Sequence, residues 1–398
     1  VSQKVHFVVN GIFSTAIAGG DIHFLKLAEA ATRNGYEVNL FGGTALKKVA
    51  QEHHLSCEVT LTDDAAMRRV KGDALGGQLA MFRDFWGRYR RTLQLLDRIG
   101  PDEFVYATSD YWFDVLPVVR SRSRKKLMVL HMEAPRLAEI VTRRRADVDA
   151  LRVASLHYWA SQEWSLRRFC SCPPNRARKH LFHLHPLMKP RLQPLGLAAD
   201  EMTLVSYGLD VAALDAVPAQ RRLYDVVWIG RVHRQKGVYD LLQTLKFLAQ
   251  RLPDLRVVFI GNLREVLLPK VKAIGLEKRV EFSGFVSDEE KNRLFKASRL
   301  FLMPSKHEGS PRVIGESIVA GTPVVAYDIP NYRPLFGNFV RYTPPFDLDA
   351  FKQLALLELQ QMRSGVNYLD QLDLVRFKEE NSWETLRAKF LSVLQQMK

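Results

Sequence analysis

Short apolar runs alternate with helix-length amphipathic stretches along this chain, and the alternation runs its course, breaks, and starts again. In the first half, Val5 to Val9, Val38 to Phe41, Phe104 to Ala107 and Leu127 to His131 read as strands, with a helix over Ile22 to Arg33. In the second half the strands are Asp225 to Ile229, Arg256 to Ile260, Val280 to Phe282, Leu300 to Met303 and Val324 to Tyr327. Between them fall helical patterns at Gly237 to Arg251, Leu267 to Ile274, Asp288 to Ala297 and Val313 to Ala320. Helix-length crossovers join parallel strands, and a parallel sheet buries both faces under such helices. Two doubly wound α/β sheets in tandem are expected, and 398 residues suit two domains. The expected division is 1–207 and 208–380, with the linker at Tyr207 to Asp210 and the Pro218 region, after a strand at Met202 to Ser206. A last amphipathic helix over Trp383 to Lys398 follows Asn381 or Ser382 as its cap.

Composition narrows the class. Hydrophobic residues make up 47% and charged residues 25%, which excludes a disordered or fibrous chain. No apolar run approaches the roughly 18 residues that span a bilayer. The short Val5 to Val9 run, which leads into Asn10-Gly11, fits a buried strand better than a signal peptide, so a cytoplasmic protein is expected. Three cysteines provide no disulfide framework. The net charge of +15 is concentrated, since residues 118–191 hold 17 Lys and Arg against 5 Asp and Glu. Clusters at Arg120 to Lys126, Arg143 to Arg145 and Arg167 to Lys179 interleave with Trp159, Trp164, Phe169, Leu181 and Phe182. That composition favours an anionic membrane surface or anionic lipid-linked substrate; a merely solvated surface and nucleic acid are the alternatives. Cys170-Ser-Cys172 with His180, His183 and His185 fits no familiar zinc spacing, and is read as free thiols and histidines on a mobile amphipathic segment.

The chemistry-bearing stretch is Glu308-Gly-Ser-Pro-Arg-Val-Ile-Gly-Glu316, two carboxylates across a turn that opens a helix. A loop from a parallel strand to a helix N-terminus offers unpaired N–H groups to an anion, while the glutamates accept hydrogen bonds from hydroxyls. The layout outlines a nucleotide-sugar site, set against a reading in which both glutamates are ordinary helix-end charges. Gly230-Arg231 and Lys236-Gly237 share another strand-to-helix loop, where the two cations can neutralise a diphosphate leaving group. Gly284 and Phe285 follow a strand and either offer backbone groups to a base edge or form a plain turn. Gly19-Gly20-Asp21 lets the backbone approach a ligand, with Asp21 as candidate N-cap. His131 ends a strand ahead of Glu133 and Pro135, and Asp110 either contacts an acceptor or caps the next helix.

These motifs, in this order and over nearly the whole length, resemble the retaining GT-B glycosyltransferases of family four. The resemblance rests on the glycine pair and helix of Gly19 to Phe41, the Val205 to Asp210 hinge, Gly230-Arg231 with Lys236-Gly237, and Phe282 to Val286. It also rests on Pro304-Ser305 leading to the glutamate pair, on Ala320 to Val325, and on Trp383-Glu384. It implies two Rossmann-like domains facing a central cleft, closing to assemble the site, with the C-terminal helix over 381–398 crossing back to the first domain. It further implies that Arg231 and Lys236 bind the donor diphosphate, Glu316 the ribose, and Glu308 the transferred sugar. The backbone of Ser310, Pro311, Arg312, Val313 and Ile314 would cradle sugar or phosphate, Gly20 would complete the site, and His131 would contact the donor sugar. Ser310-Pro311 and Met132 to Pro135 depart from the commoner pattern. No Asp-x-Asp stands at a strand end as a metal site, so no metal or other cofactor is expected. The implied activity moves a sugar from a UDP- or GDP-type donor to a saccharide or lipid-linked acceptor in bacterial envelope or exopolysaccharide synthesis, at the inner face of the membrane. A GT-B nucleotide-sugar epimerase and a non-catalytic saccharide- or nucleic-acid-binding module are the alternatives; nucleic acid is the less favoured partner.

Overall fold

A computed structural model describes residues 3–13, 19–63, 75–134, 137, 140, 150–173, 175–206, 208–230, 232 and 234–398. The chain divides into two compact units, Val1–Tyr207 with Leu386–Lys398, and Gly208–Thr385. The first holds strands β1 (Lys4–Val9), β2 (Glu37–Gly42), β3 (Glu58–Leu61), β4 (Phe104–Ala107), β5 (Lys125–Leu130), β6 (Arg178–His183) and β7 (Met202–Leu204). They form one parallel sheet in the order β3-β2-β1-β4-β5-β6-β7. The second unit holds β8 (Tyr224–Ile229), β9 (Val257–Ile260), β10 (Val280–Gly284), β11 (Ser298–Met303), β12 (Val324–Tyr327) and β13 (Arg341–Thr343). Their parallel order is β10-β9-β8-β11-β12-β13. In each sheet the order reverses direction once, between β1 and β4 and between β8 and β11. Ligands of open α/β sheets bind at that reversal, beyond the carboxyl ends of the two strands.

The strands are nearly continuous apolar runs because both faces are covered. Val226 to Trp228, Val257 to Phe259, Leu300 to Leu302 and Val324 to Tyr327 are all at most 1% exposed. The helix of Trp383–Gln396 starts on Ser382, whose Oγ accepts from Thr385 N at 3.1 Å. Its residues from Leu386 belong to the first unit, where Phe390 lies 6.2, 5.8 and 5.7 Å from the rings of Phe7, Tyr106 and Phe182. At the start of the same helix Gly208 has φ +71°, and a Cβ there would fall 2.2 Å from the Trp383 ring.

The region read as a mobile basic segment is different in the structure. Arg178–His183 is β6, an internal strand, and Phe169, Leu181 and Phe182 are core residues; Trp164 stays exposed. Basic and histidine residues interrupt the apolar pattern there, which hides the strand from a periodicity argument. Lys125, Lys126 and Lys179 are all buried. Lys126 Nζ donates to Val118 O at 2.8 Å, Ser121 O at 2.8 Å and Ser121 Oγ at 2.9 Å, closing the C-terminal end of the helix Trp112–Arg120. Lys179 Nζ does the same for the end of Ala150–Cys170, donating to the carbonyls of Cys170, Cys172 and Gly196. His180 Nε2 lies 2.9 Å from Thr203 Oγ1 and His183 Nδ1 lies 2.8 Å from His185 O. Among the described residues no cluster of three or more His, Cys, Asp or Glu could hold a metal ion. The Arg143 to Arg145 cluster lies outside the described residues, and none of the described helices is long and apolar enough to cross a membrane.

Two predictions follow from this packing. Gly208→Ala adds a left-handed strain and a clash with Trp383, and is expected to lower unfolding free energy by about 2–5 kcal/mol in urea titration. Gly275→Ala, with φ +72° and nothing within 4 Å, supplies the strain alone and is expected to cost about 1–2 kcal/mol. Burial brings the Lys126 ammonium down to about 8. The unfolded chain therefore binds more protons than the native one between about pH 8 and the ordinary lysine value, so this residue's contribution makes stability rise with pH across that window. Lys126→Met removes that slope, and the difference between the two stability-versus-pH curves measures it.

Candidate active site

The second unit brings together the loops that follow β8 and β11, the two strands at the reversal. Gly237, at φ +65°, sits so close to the second loop that a Cβ would fall 1.9 Å from Pro304 O. Gln235 crosses between them twice, accepting from Lys306 N at 2.8 Å and donating through Nε2 to His307 O at 2.8 Å. This clamp sets Lys236 Nζ 2.5 Å from Glu308 Oε1, with side chains only 19% and 11% exposed. Asn331 Nδ2, from the loop after β12, donates to Glu308 O at 2.6 Å and Gly309 O at 3.2 Å, fixing the turn from behind.

The turn leads into the helix Arg312–Val319, whose N-cap is Pro311 and whose first turn has no side-chain cap. The cradle is narrower than the sequence implies. Proline has no N–H, and Ile314 N is already spent on Pro311 O at 3.1 Å, so Ser310, Arg312 and Val313 are the backbone donors left in this stretch. Ile314 is itself fully buried. Glu316 is 5% exposed and accepts from Arg312 Nε at 2.9 Å and Lys291 Nζ at 3.1 Å; Lys291 also pairs with Asp288 Oδ1 at 2.7 Å. Two cations thus grip one buried carboxylate and fix its aim.

Around this centre, Gly230 follows β8 directly, and a Cβ there would fall 3.1 Å from the Trp228 ring. Arg231 lies outside the described residues. Gly284 has φ +71° and its carbonyl accepts from Gly261 N at 2.8 Å, so that oxygen is committed to the sheet edge. Phe285 beside it is 87% exposed. A pocket of about 450 Å³ beyond Gly237 is lined by Val232, Tyr239, Lys270 and Lys306 among others.

In the first unit the loops after β1, β4 and β5 surround a larger pocket of about 610 Å³. Gly20 and His131 both line it, and a Cβ on Gly20 would meet the His131 ring at 3.4 Å. His131 Nε2 is 3.0 Å from Thr108 O. Phe13, Phe82, Phe85, Tyr111 and Phe113 form its aromatic part: Phe85 stacks on Phe113 at 3.9 Å and Phe113 on Tyr111 at 5.1 Å. Asp21 lines the pocket too, but the helix begins at Gly19, so it sits within the first turn and is no N-cap.

Asp110 and Glu133 are turned elsewhere. Asp110 is 2% exposed and accepts from Tyr158 OH at 2.9 Å and from Gln162 Nε2; burial raises its carboxyl. It does not cap the next helix, whose N-cap is Tyr111. Glu133 pairs with Arg191 at 3.0 Å. Sequence reasoning missed Asp114, buried under the pocket wall. It takes Ser109 Oγ at 2.5 Å and Asn10 N at 2.8 Å, and burial pushes it up to about 7. Lys291, Gln235 and Asn331 were missed as well, since their roles arise from contacts 22 to 72 positions away in sequence.

With this geometry in view, the second unit resembles a known family. Residues 216–361 match the family described as glycosyl transferases group 1. Mannosylfructose-phosphate synthase of Agrobacterium fabrum is 32% identical over 134 residues, 31% of this chain and 30% of that protein. O-antigen chain mannosyltransferase B of Escherichia coli is 29% identical over 138 residues, 34% of this chain and 36% of its own length. The alignments span about a third of the curated relatives' length. Solved structures match the whole chain: Anabaena HepE in complex with UDP-glucose has a TM-score of 0.66 at 17% identity, covering 99% of this chain and 100% of that one. Sucrose-phosphate synthase from Thermosynechococcus elongatus has a TM-score of 0.71 at 16% identity, covering 99% and 98%. At such identities the likeness establishes the fold, which is GT-B.

Within the matched segment, the Lys291, Arg312 and Glu316 cluster is testable. Lys291→Met leaves Glu316 buried with one cation, and the cycle of Lys291→Met with Glu316→Gln is expected to give a coupling of about 1–3 kcal/mol in urea unfolding. A coupling near zero would mean that Arg312 alone satisfies the carboxylate.

Proposed function

We propose that this chain is a glycosyltransferase that moves a sugar from a nucleoside-diphosphate donor to a hydroxyl of a saccharide or lipid-linked acceptor. The observation that carries this reading is the placement of Lys236 and Glu308 against each other at the uncapped start of the Arg312–Val319 helix, inside the segment that matches the group 1 family. An ammonium and a helix N-terminus together stabilise the negative charge that grows on a departing diphosphate. A carboxylate beside them accepts hydrogen bonds from the hydroxyls of the sugar being transferred.

In the proposed reaction the bond from the anomeric carbon to the diphosphate oxygen breaks while the bond to the acceptor oxygen forms on the same face, retaining configuration. The acceptor proton passes to the leaving diphosphate, so no carboxylate nucleophile or resident metal is required. Lys236, and Arg231 by family resemblance, take up the released charge. Glu316, held by Arg312 and Lys291, binds the ribose hydroxyls, and Glu308 orients the sugar. The first unit supplies the acceptor pocket with Gly20 and His131 in its wall. UDP is the favoured nucleotide: the matched Anabaena structures are described as complexes with UDP, UDP-glucose, or UDP and glucose. Envelope or exopolysaccharide synthesis is the favoured setting, because the relatives include an O-antigen mannosyltransferase and a teichuronic acid biosynthesis glycosyltransferase described as putative.

The test is calorimetric titration with UDP, GDP and ADP, followed by turnover of the sugar conjugate of whichever binds. One nucleotide is expected to bind selectively, and Lys236→Ala is expected to lower kcat/KM by about 100-fold or more with little change in the unfolding midpoint. Parallel loss of stability and activity would make Lys236 a structural clamp on Glu308. Failure of a folded chain to bind any nucleotide would favour the saccharide-binding alternative.

A further inference from the structure

Three exposed aromatic side chains of the first unit converge on one buried ring. Phe82 and Trp86 lie on the helix Leu75–Leu96 and are 48% and 45% exposed; Trp164 lies on Ala150–Cys170 and is 41% exposed. Their rings sit 5.6, 5.9 and 6.5 Å from Trp112, which is 3% exposed. Two helices distant in sequence therefore present a single aromatic patch, with Met81, 43% exposed, at its edge. A contiguous patch of this kind marks an interaction surface, in contrast to a solitary exposed ring.

The charge beside the patch selects its occupant. Arg83 and Arg90 stand three and four positions either side of Trp86, and Arg167 and Arg168 stand three and four positions after Trp164. At those spacings they share the faces that carry the tryptophans, and all four are exposed. These guanidiniums reach solvent, Arg167 beside Glu163 at 3.5 Å yet 70% exposed, whereas Lys125, Lys126 and Lys179 are buried within the fold. Tryptophan rings settle at the headgroup level of a bilayer, and adjacent arginines draw the surface to anionic lipid.

We propose that this aromatic and arginine face seats the chain on an anionic lipid bilayer. Met81 and Phe82 belong both to the patch and to the wall of the 610 Å³ pocket that contains Gly20 and His131. Seating the patch at the headgroups thus brings the pocket to the bilayer surface, where the apolar part of an amphipathic acceptor is at hand. Docking itself does not depend on the transfer reading, because it is measured without donor or turnover.

The experiment is co-sedimentation of the full chain with phosphatidylcholine vesicles, with and without phosphatidylglycerol, at low and high salt, together with tryptophan emission. Binding to the anionic vesicles is expected, with a blue shift in emission and weakening by salt. Trp86→Ser with Trp164→Ser, and separately Arg90→Gln with Arg168→Gln, are each expected to reduce partitioning about tenfold or more. If the serine pair fails to melt cooperatively, the arginine pair decides, since both arginines are exposed. Absence of wild-type binding, or equal binding to both vesicle types, overturns the proposal. So does unchanged binding by the decisive variant. A wild-type dimer that the variants turn into a monomer in sedimentation equilibrium overturns it as well, assigning the face to a second copy of the chain.

Discussion

The pairing of β8 with β11 is the constraint on which the second unit depends. These two strands are adjacent and parallel in the sheet but far apart in sequence, and the strands that follow them lie on opposite sides of the pair. Their outgoing loops are forced side by side with helices starting from each. Everything chemical in this unit follows from that adjacency: Gly237 lies against Pro304, Gln235 bridges the loops, and Lys236 meets Glu308. At the opposite end of the sheet, buried Asp225 anchors β8 through Arg363, which donates from Nε at 3.0 Å and Nη2 at 2.7 Å. The site end keeps a free helix start while the other end is satisfied by paired charges, a division suited to a rigid scaffold that carries a functional rim.

The first unit repeats the geometry with different chemistry. Its reversal lies between β1 and β4, and the pocket opens there with an aromatic wall in place of an ion pair. The polar groups around it are mostly committed to the fold, Asp110 to Tyr158 and Gln162, Asp114 to Ser109 and Asn10. A pocket whose carboxylates are occupied and whose walls are rings suits the less polar of two substrates. The ammonium and the uncapped helix start of the proposed donor site lie in the other unit.

Much of this was legible in the chain itself. Five of the six strands of the second sheet, all but β13, fall within a residue or two of their apolar runs, because a doubly covered parallel strand has no polar face to blur the signal. The Glu308 to Glu316 turn and the Gly237 loop were legible because glycine, proline and a helix start leave local marks. Strand β6 was not, since Lys179, His180 and His183 look polar until their partners across the sheet and at helix ends are in place. The same residues made the segment look like a uniformly basic surface. Composition counts charges but does not say which of them are buried against carbonyls.

What the sequence by itself determined is the pair of α/β units, the order of their elements and the loops that carry the motifs, all properties of local periodicity and turn chemistry. What only the tertiary structure decided is which distant residues meet. Lys291 against Glu316, Asn331 beneath Glu308, Asp110 turned toward Tyr158 and Gln162, and Phe82, Trp86 and Trp164 gathered about Trp112 are contacts between separate elements. Such contacts are fixed by strand order and helix packing, and these distribute their energy over many residues and leave no mark at any one position.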